Sequence, residues 1–414
     1  MKIRVKKTSL LLVCIIMAII ILDNFFGFGI PIGVNTTYLL FGVLILSFII
    51  GVYLLPKKFS YVVYNCKFIN IYVVMVLVSY IVLFGYSLIE YPMQGIKETL
   101  SAGAPYLALL FIYPIYVYLI AKGNEKSIYR MLNIFSIIIY LLILVQFVTY
   151  GRGIMIFSEE TMKMRNERIR IGLHFYGNFM LLYNFYKMYI EKDRKLFRIL
   201  LVIVGFFELF YIQQTRAYTL VILFSIFIMI VFEKNTRNKL LKKGVIVILA
   251  IAVLLQTNIV SSFIQSLSSV GEEAGSTIGR QYSMAYYLSM FKIHFPLGLA
   301  FPNIDKYGTA LHHQVGVYTT YVDDVGIIGQ LGILGLLIIP IFIIPVVRMI
   351  YVVYKMSKNK FNNQIIWYLV MLIYIIMTSG TLMILDSYRI MLMPIIMALV
   401  EFQNEKINRV DRME

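Results

Sequence analysis

Long apolar runs recur along this chain, separated by short polar turns, and they set its architecture before any other feature is considered. A bilayer core of ~30 Å takes about 20 mostly apolar residues per helix. Stretches that meet this requirement fall near 8–23, 37–55, 68–89, 105–121, 131–149, 171–190, 197–213, 216–232, 244–260, 325–347, 365–385 and 388–403. The seventh and eighth of these form a tight hairpin. The pattern predicts an all-α polytopic membrane protein of about twelve transmembrane helices, forming a single integral membrane domain over 1–414. One long loop, 257–324, separates spans nine and ten. Within it, Ile278, Tyr282, Ala285, Tyr286 and Ser289 recur at helical spacing, which predicts an amphipathic helix over about Ser276–Phe291. An aromatic-rich helix at that place suits the outer interface of a membrane. The turn PLGLAFPN (296–303) ends it.

Composition supports the same solvent. The chain is 60% hydrophobic and 14% charged over 414 residues, and its mean hydropathy is +0.82. A soluble protein of this length cannot bury so much apolar surface. The opening MKIRVKK and the run behind it have the outline of a secretory signal, but Leu22 is followed by Asp23, Asn24, Phe25 and Phe26 rather than by a small-residue cleavage site. The run is therefore read as a retained first span.

Net charge is +17, and its distribution gives the orientation. With both termini cytoplasmic, 27 of the 38 Lys and Arg fall in internal segments and 11 in external ones, and every internal connection is basic. That is the positive-inside pattern, so the charge reflects topology and not nucleic acid. The 11 external cations run against the rule. Arg152, Lys163, Arg165, Arg168 and Arg170 share one loop, Arg280, Lys292 and Lys306 lie in the long loop, and Lys97, Arg216 and Arg389 sit at other outer turns. Pairing with Glu159, Glu160 and Glu167 accounts for the first cluster equally well. Arg216 and Arg280 have no acidic residue within three positions. Arg389 reads as a helix-end cation reaching for the interface, and His294 as an interfacial residue.

Cys14 lies in an apolar run and Cys66 beside a basic loop, with no spacing for a disulfide framework or a metal centre. No serine-hydrolase elbow or zinc-protease motif occurs, and four histidines in this arrangement offer no metal site or cofactor. Only Glu208 lies clearly inside a span, which argues against an ion-coupled transporter. What remains on the outer face is Arg165, Arg168, Arg170, His174, Arg216, Arg280, His312 and His313. Arginine holds phosphate bidentately and stays charged. Such a set suits a diphosphate on a lipid carrier, with the cations stabilising a departing anion and a neutral His accepting a proton. His174 also reads as an ordinary helix histidine.

These residues carry a resemblance. YIQQTRAYTLVIL (211–223) opens a span on Arg216 after a polar turn, and GRQYSMAYYLSMFKIHFPLG (279–298) sets Arg280 on a loop helix before a Pro–Gly turn. HHQVGVYTTYVDDVGIIGQLGILG (312–335) has a His, an acidic pair including Asp324, and a Gly-rich helix start; RIGLHFYGNF (170–179) has an Arg and Gly ahead of an Asn. In that order the chain resembles the O-antigen polymerase and O-antigen ligase superfamily of membrane glycosyltransferases. It departs from the pattern in carrying Gln314 where Asn is usual and in doubling the His; the spacing to Gly326 favours His313.

The resemblance implies a fold like that of other multi-span lipid-dependent (GT-C-like) glycosyltransferases and an inverting, metal-independent transfer from an undecaprenyl-diphosphate-linked glycan at the outer face of a bacterial cytoplasmic membrane. In that reading Arg216, Arg280 and His313 carry the chemistry, and Arg165, Arg168, Arg170, His174, His312 and Asp324 bind substrate. The resemblance implies no cofactor, and it implies a chain-length regulator as a partner. Three functions stay open: a repeat-unit polymerase, a ligase to a non-repeat acceptor, and a glycan exporter.

Overall fold

In the computed structural model, residues 7–23, 36–157, 162–165, 168–171, 175–193, 195–213, 215–233, 274–316, 318–359 and 363–411 are described. Their architecture is overwhelmingly helical. In chain order the helices are α1 (Lys7–Leu22), α2 (Thr36–Leu54), α3 (Pro56–Asn65), α4 (Lys67–Glu90), α5 (Ile96–Lys122), α6 (Lys126–Thr149), α7 (Phe175–Tyr189), α8 (Leu196–Gln213), α9 (Arg216–Phe232), α10 (Ala274–Ile293), α11 (Ile304–Leu311), α12 (Gly326–Leu334), α13 (Ile339–Lys358), α14 (Asn363–Thr378) and α15 (Leu392–Asp411). Six of them, α2, α4, α5, α6, α8 and α13, are long and apolar enough to cross a membrane, and α1, α9, α12 and α14 are shorter apolar helices. The protein is therefore an all-α, multi-pass membrane protein. The ninth expected span, 244–260, lies outside the described residues, as does the start of the long loop.

Apolar side chains face both ways, as lipid solvation requires. Ile45 and Ile49 of α2 point outward, as do Ile71, Val74, Val78 and Ile81 of α4, while Tyr72, Val76 and Leu83 of α4 are buried. The connecting segments sort into two polar ends. At one end the α2–α4 connection meets the end of α15, where Tyr61 pairs with Glu405 and accepts from Arg409 at 3.1 Å. Arg348 donates to Glu401 through Nε at 2.6 Å and one terminal nitrogen at 3.1 Å, and Tyr368 and Gln364 reach Glu125. At the other end the 91–98 turn meets the 299–307 segment. There Gln94 donates to Phe301 O at 3.0 Å and accepts from Asn303 N at 2.8 Å, and Lys306 pairs with Glu98 at 3.3 Å. These two sets are the connections that the charge pattern separates into internal and external.

Two expected boundaries are corrected. α14 ends at Thr378 and α15 starts at Leu392, so the stretch 379–391, expected to be divided between spans at 365–385 and 388–403, is a run of turns. Met383, Ile384 and Leu385 are buried against protein, and irregular backbone is tolerated at such a place only where protein covers it. The tenth span is broken rather than continuous. Gly335 (φ +55°) interrupts the helix, and the turn after α10 fills the break. Leu336 N donates to Pro296 O at 2.8 Å, Leu299 N to Gly332 O at 2.8 Å, and Ala300 N to Ile333 O at 2.7 Å. Behind this turn Phe301 is buried between Tyr80 and Tyr106, over Gly103, where a Cβ would lie 2.6 Å from its ring. The expected PLGLAFPN turn is thus a wedge driven into the helix bundle.

Candidate functional site

The cationic loop after α6 forms a two-stranded hairpin, β1 (Met162–Arg165) and β2 (Arg168–Ile171), paired antiparallel. Lys163 stands opposite Arg170 and Arg165 opposite Arg168, so these positions share one face, with Met162, Met164, Ile169 and Ile171 on the other. Ile169 and Ile171 are buried against Ile139, Ile143 and Ile212, and that burial fixes which face turns inward. Arg170 then reaches across to the turn between α8 and α9. Its Nε donates to Gln213 O at 3.0 Å and a terminal nitrogen to Thr215 Oγ1 at 3.3 Å.

Arg216 is the residue after Thr215 and opens α9. The same turn is braced from inside the bundle. Asn178 donates to Gln213 Oε1 at 3.1 Å, and Gln213 donates to the buried Glu208 at 3.1 Å. Glu208, the one acid expected inside a span, therefore serves to hold this turn. Arg170 is thus fastened to the turn that opens on Arg216, whereas the sequence reading sets Arg216 with Arg280 and places Arg170 with Arg165 and Arg168. His174, Glu159, Glu160 and Glu167 lie outside the described residues, as do the side chains of Arg165, Arg168 and Arg216.

The second assembly is built on α10, which spans Ala274–Ile293 where Ser276–Phe291 was expected. Arg280 is exposed on its first half. Gly332 of α12 receives Tyr287 closely, leaving a Cβ there only 2.7 Å from Tyr287 Cβ. α11 and the short strands β3 (Gln314–Val315) and β4 (Tyr318–Thr319) fold back over α10. Tyr286 donates to Ala310 O at 2.9 Å and Tyr287 to Leu311 O at 2.5 Å. The His313 ring lies parallel to Tyr286, with centroids 4.9 Å apart and planes within 5°. Burial pushes the Tyr286 phenol above its ordinary value, so it remains a neutral donor beneath the imidazole.

Thr320 clasps the histidine pair from the far side. His313 N donates to Thr320 Oγ1 at 2.9 Å, Thr320 N donates to His313 O at 2.8 Å, and His312 Nδ1 lies 3.3 Å from Thr320 O. His313 is exposed and His312 half-buried. The structure thus brings Arg280, His312 and His313 onto one packed unit, with His313 presenting its ring. Asp324 is half-buried at the end of the short 322–324 turn that leads into α12.

His294 is expected at the interface, and its Nδ1 lies 3.1 Å from Tyr86 Oη and 3.5 Å from Glu90. Arg389 departs from the sequence reading. Arg389 does not snorkel. Its side chain is 11% exposed, it is paired with Asp386 (2% exposed), and its guanidinium carbon lies 6.0 Å over the Tyr218 ring. Asp386 also accepts from Gln330 at 3.4 Å, Gln330 accepts from Tyr106 at 2.9 Å, and Asp323 lies within hydrogen-bonding reach of Asp386. Sequence reasoning missed this pair because each residue looks like an ordinary turn residue; the available signal was the i, i+3 Asp–Arg spacing inside an apolar stretch. Among the described residues, no three His, Cys, Asp or Glu side chains gather to hold a metal ion. Compared with known protein families and with curated proteins, the sequence matches none.

Proposed function

We propose that this protein is a membrane glycosyltransferase that lengthens a surface polysaccharide by joining repeat units carried on undecaprenyl diphosphate. The observation that carries this reading is that the cations and histidines at issue are built into two ordered units. Arg170 is fastened to the turn that launches Arg216, and His313 is held with an open ring on the helix that carries Arg280. In this reading the chain spans a bacterial cytoplasmic membrane twelve times, in a GT-C-like arrangement. Both termini are cytoplasmic and the 257–324 loop is outside.

The reaction follows from these roles. Arg216 and Arg280 hold the donor's diphosphate, and Arg165, Arg168 and Arg170 hold the second lipid diphosphate or steer it inward. The hydroxyl oxygen of the acceptor sugar attacks the donor's anomeric carbon from the side opposite the diphosphate. The new C–O bond forms with inversion as the bond to the diphosphate breaks, and undecaprenyl diphosphate leaves with the electron pair. The arginines stabilise that charge where it develops. His313 orients the acceptor hydroxyl and takes its proton, while His312, Asp324 and His174 contact the sugars. A ligase would make the same bond to a non-repeat acceptor, and an exporter would make none.

Arg216→Ala, Arg280→Ala and His313→Ala are each expected to abolish chain lengthening at unchanged protein abundance in the membrane. Arg216→Lys is expected to recover little, since Lys lacks the planar fork. Normal polymer from Arg280→Ala would remove the assignment.

A further inference from the structure

We propose that Asp386 and Arg389 are positioning residues of the transfer site, a buried ion pair that holds the start of α9, with Arg216, in fixed relation to the loop end that carries His313. The inference rests on the glycan-transfer reading for its catalytic consequence and on geometry for the coupling itself. Ionised groups buried in a membrane protein are costly and are kept where they serve a site. A well-packed apolar pair would fill the same space at equal or lower energy. Stability alone therefore does not account for this pair.

Its neighbours show what it serves, because each comes from a different part of the chain. Tyr218, under the Arg389 guanidinium, is two residues past Arg216 on the first turn of α9, and its ring stacks on Tyr374 of α14. On the other side, Asp386 takes a hydrogen bond from Gln330 of α12, which is itself tied to Tyr106 of α5. Asp323, which reaches the same carboxyl, precedes α12 and follows Thr320, the residue that clasps both histidines. The path from Arg216 to His313 thus runs Tyr218, Arg389, Asp386, Asp323, Thr320.

The stretch that carries the pair, 379–391, runs as turns rather than as a continuous helix. The 379–391 turns are anchored by Ile327 N donating to Ser379 O at 2.8 Å and by the close approach of Gly326 (φ +52°), where a Cβ would lie 2.2 Å from Ser379 O. Between the paired residues, Ser387 and Tyr388 line a cavity of about 240 Å³ that also presents Thr36, Thr37 and Ser101. The pair therefore also brackets one wall of this cleft, whose remaining lining is the apolar Ile21, Leu22, Leu40, Ala104 and Pro105.

The test measures a distance and a rate on the full-length protein. Spin labels are placed at Leu220→Cys on α9 and Gln314→Cys on β3, both exposed positions, while the native Cys14 and Cys66 are buried. Double electron–electron resonance is expected to give one narrow distance distribution. The paired change Asp386→Leu with Arg389→Met removes both charges together and leaves no orphan ion, so the protein folds. It is expected to broaden the distribution while the protein stays monodisperse with a near-wild-type melting temperature.

In unlabelled protein the same change is expected to lower kcat about 100-fold with little change in KM, the usual consequence of a ~1 Å misplacement of reacting groups. Arg389→Lys, which keeps the ion pair, is expected to recover part of kcat and the narrow distribution. A distribution that stays narrow in the doubly neutral variant overturns the inference even if the wild type polymerises glycan. A broadened distribution in a protein that never transfers glycan keeps the coupling and removes the enzymatic reading.

Discussion

The seat of the 296–301 turn in the broken helix gives a sharp prediction at Gly335. Its backbone (φ +55°, ψ −142°) lies in a region that side chains other than hydrogen rarely adopt, and a Cβ would sit 2.1 Å from Pro296 O and 2.5 Å from Leu297 C. Both obstacles are backbone, so no rotamer change relieves them. Gly335→Ala must push the 296–301 turn out of the break. Backbone strain costs about 1–3 kcal/mol, and the three hydrogen bonds that seat the turn contribute about 1 kcal/mol each. Together the loss is roughly 4–6 kcal/mol, without counting Phe301, which would lose part of its burial. It falls on the loop rather than on the whole bundle.

The assay is limited trypsin digestion in detergent. Lys292 and Lys306 lie on either side of the turn, and Trp367, buried among Tyr129, Phe179 and Tyr183, reports whether the bundle is intact. If cleavage follows local opening, ~4 kcal/mol speeds it about a thousandfold, with Trp367 fluorescence unchanged. Gly85→Ala is the control. A Cβ there meets nothing within 4 Å, and it should stabilise α4 by about 0.5–1 kcal/mol. Cleavage of Gly335→Ala at the wild-type rate would refute the docking argument.

Three further expectations address the remaining parts. Glu401→Ala leaves Arg348 without its bidentate partner in a half-buried setting, and should cost about 3 kcal/mol in thermal unfolding, whereas pairing it with Arg348→Met should return most of that; an additive double variant contradicts the account. Burial pushes the Cys66 thiol up to about 11, so iodoacetamide at pH 8 should label it only on unfolding, and mass spectrometry of native protein should find it unmodified. The Arg198 guanidinium holds the Asp193 carboxyl below its usual range. A depressed folded value means the contribution is present above the unfolded value of about 3.9 and is lost as pH falls through the folded one. Asp193→Asn should therefore melt lower than wild type at pH 7, by a gap that narrows as pH falls below about 4; a gap that does not narrow in acid would show a different origin.

How much of this was legible in the sequence depended on which solvent each residue meets. Apolar runs located the helices because lipid tolerates little else, and the charge asymmetry anticipated which connections would gather at each end. Hydropathy failed at Thr381–Leu385, since residues buried in protein carry the same letters as residues facing lipid; Gly380 and Asp386 were the only local marks of the difference. The hairpin at 162–171 was hidden because attention went to its charge, although Lys163 and Arg165 alternate with Met162 and Met164, and Arg168 and Arg170 with Ile169 and Ile171, at the period of a strand. The amphipathic loop helix was readable from its spacing. Its seat was not, because the contacts of Gly332, Gly335 and Phe301 join segments far apart in sequence. Among the site residues, the sequence reading set Arg216 with Arg280 and kept Arg165, Arg168 and Arg170 as a second group, whereas the structure fastens Arg170 to the turn before Arg216; the Asp386–Arg389 pair depends on burial that no linear pattern records.

The central claim is most directly tested by incubating purified protein with a defined undecaprenyl-diphosphate-linked repeat unit, with no nucleotide or added metal, and resolving the products by length. The account predicts a ladder of lengthened glycans with release of undecaprenyl diphosphate, and no ladder from Arg216→Ala. Intact substrate with no ladder from folded wild-type protein, with and without added acceptors, would contradict it.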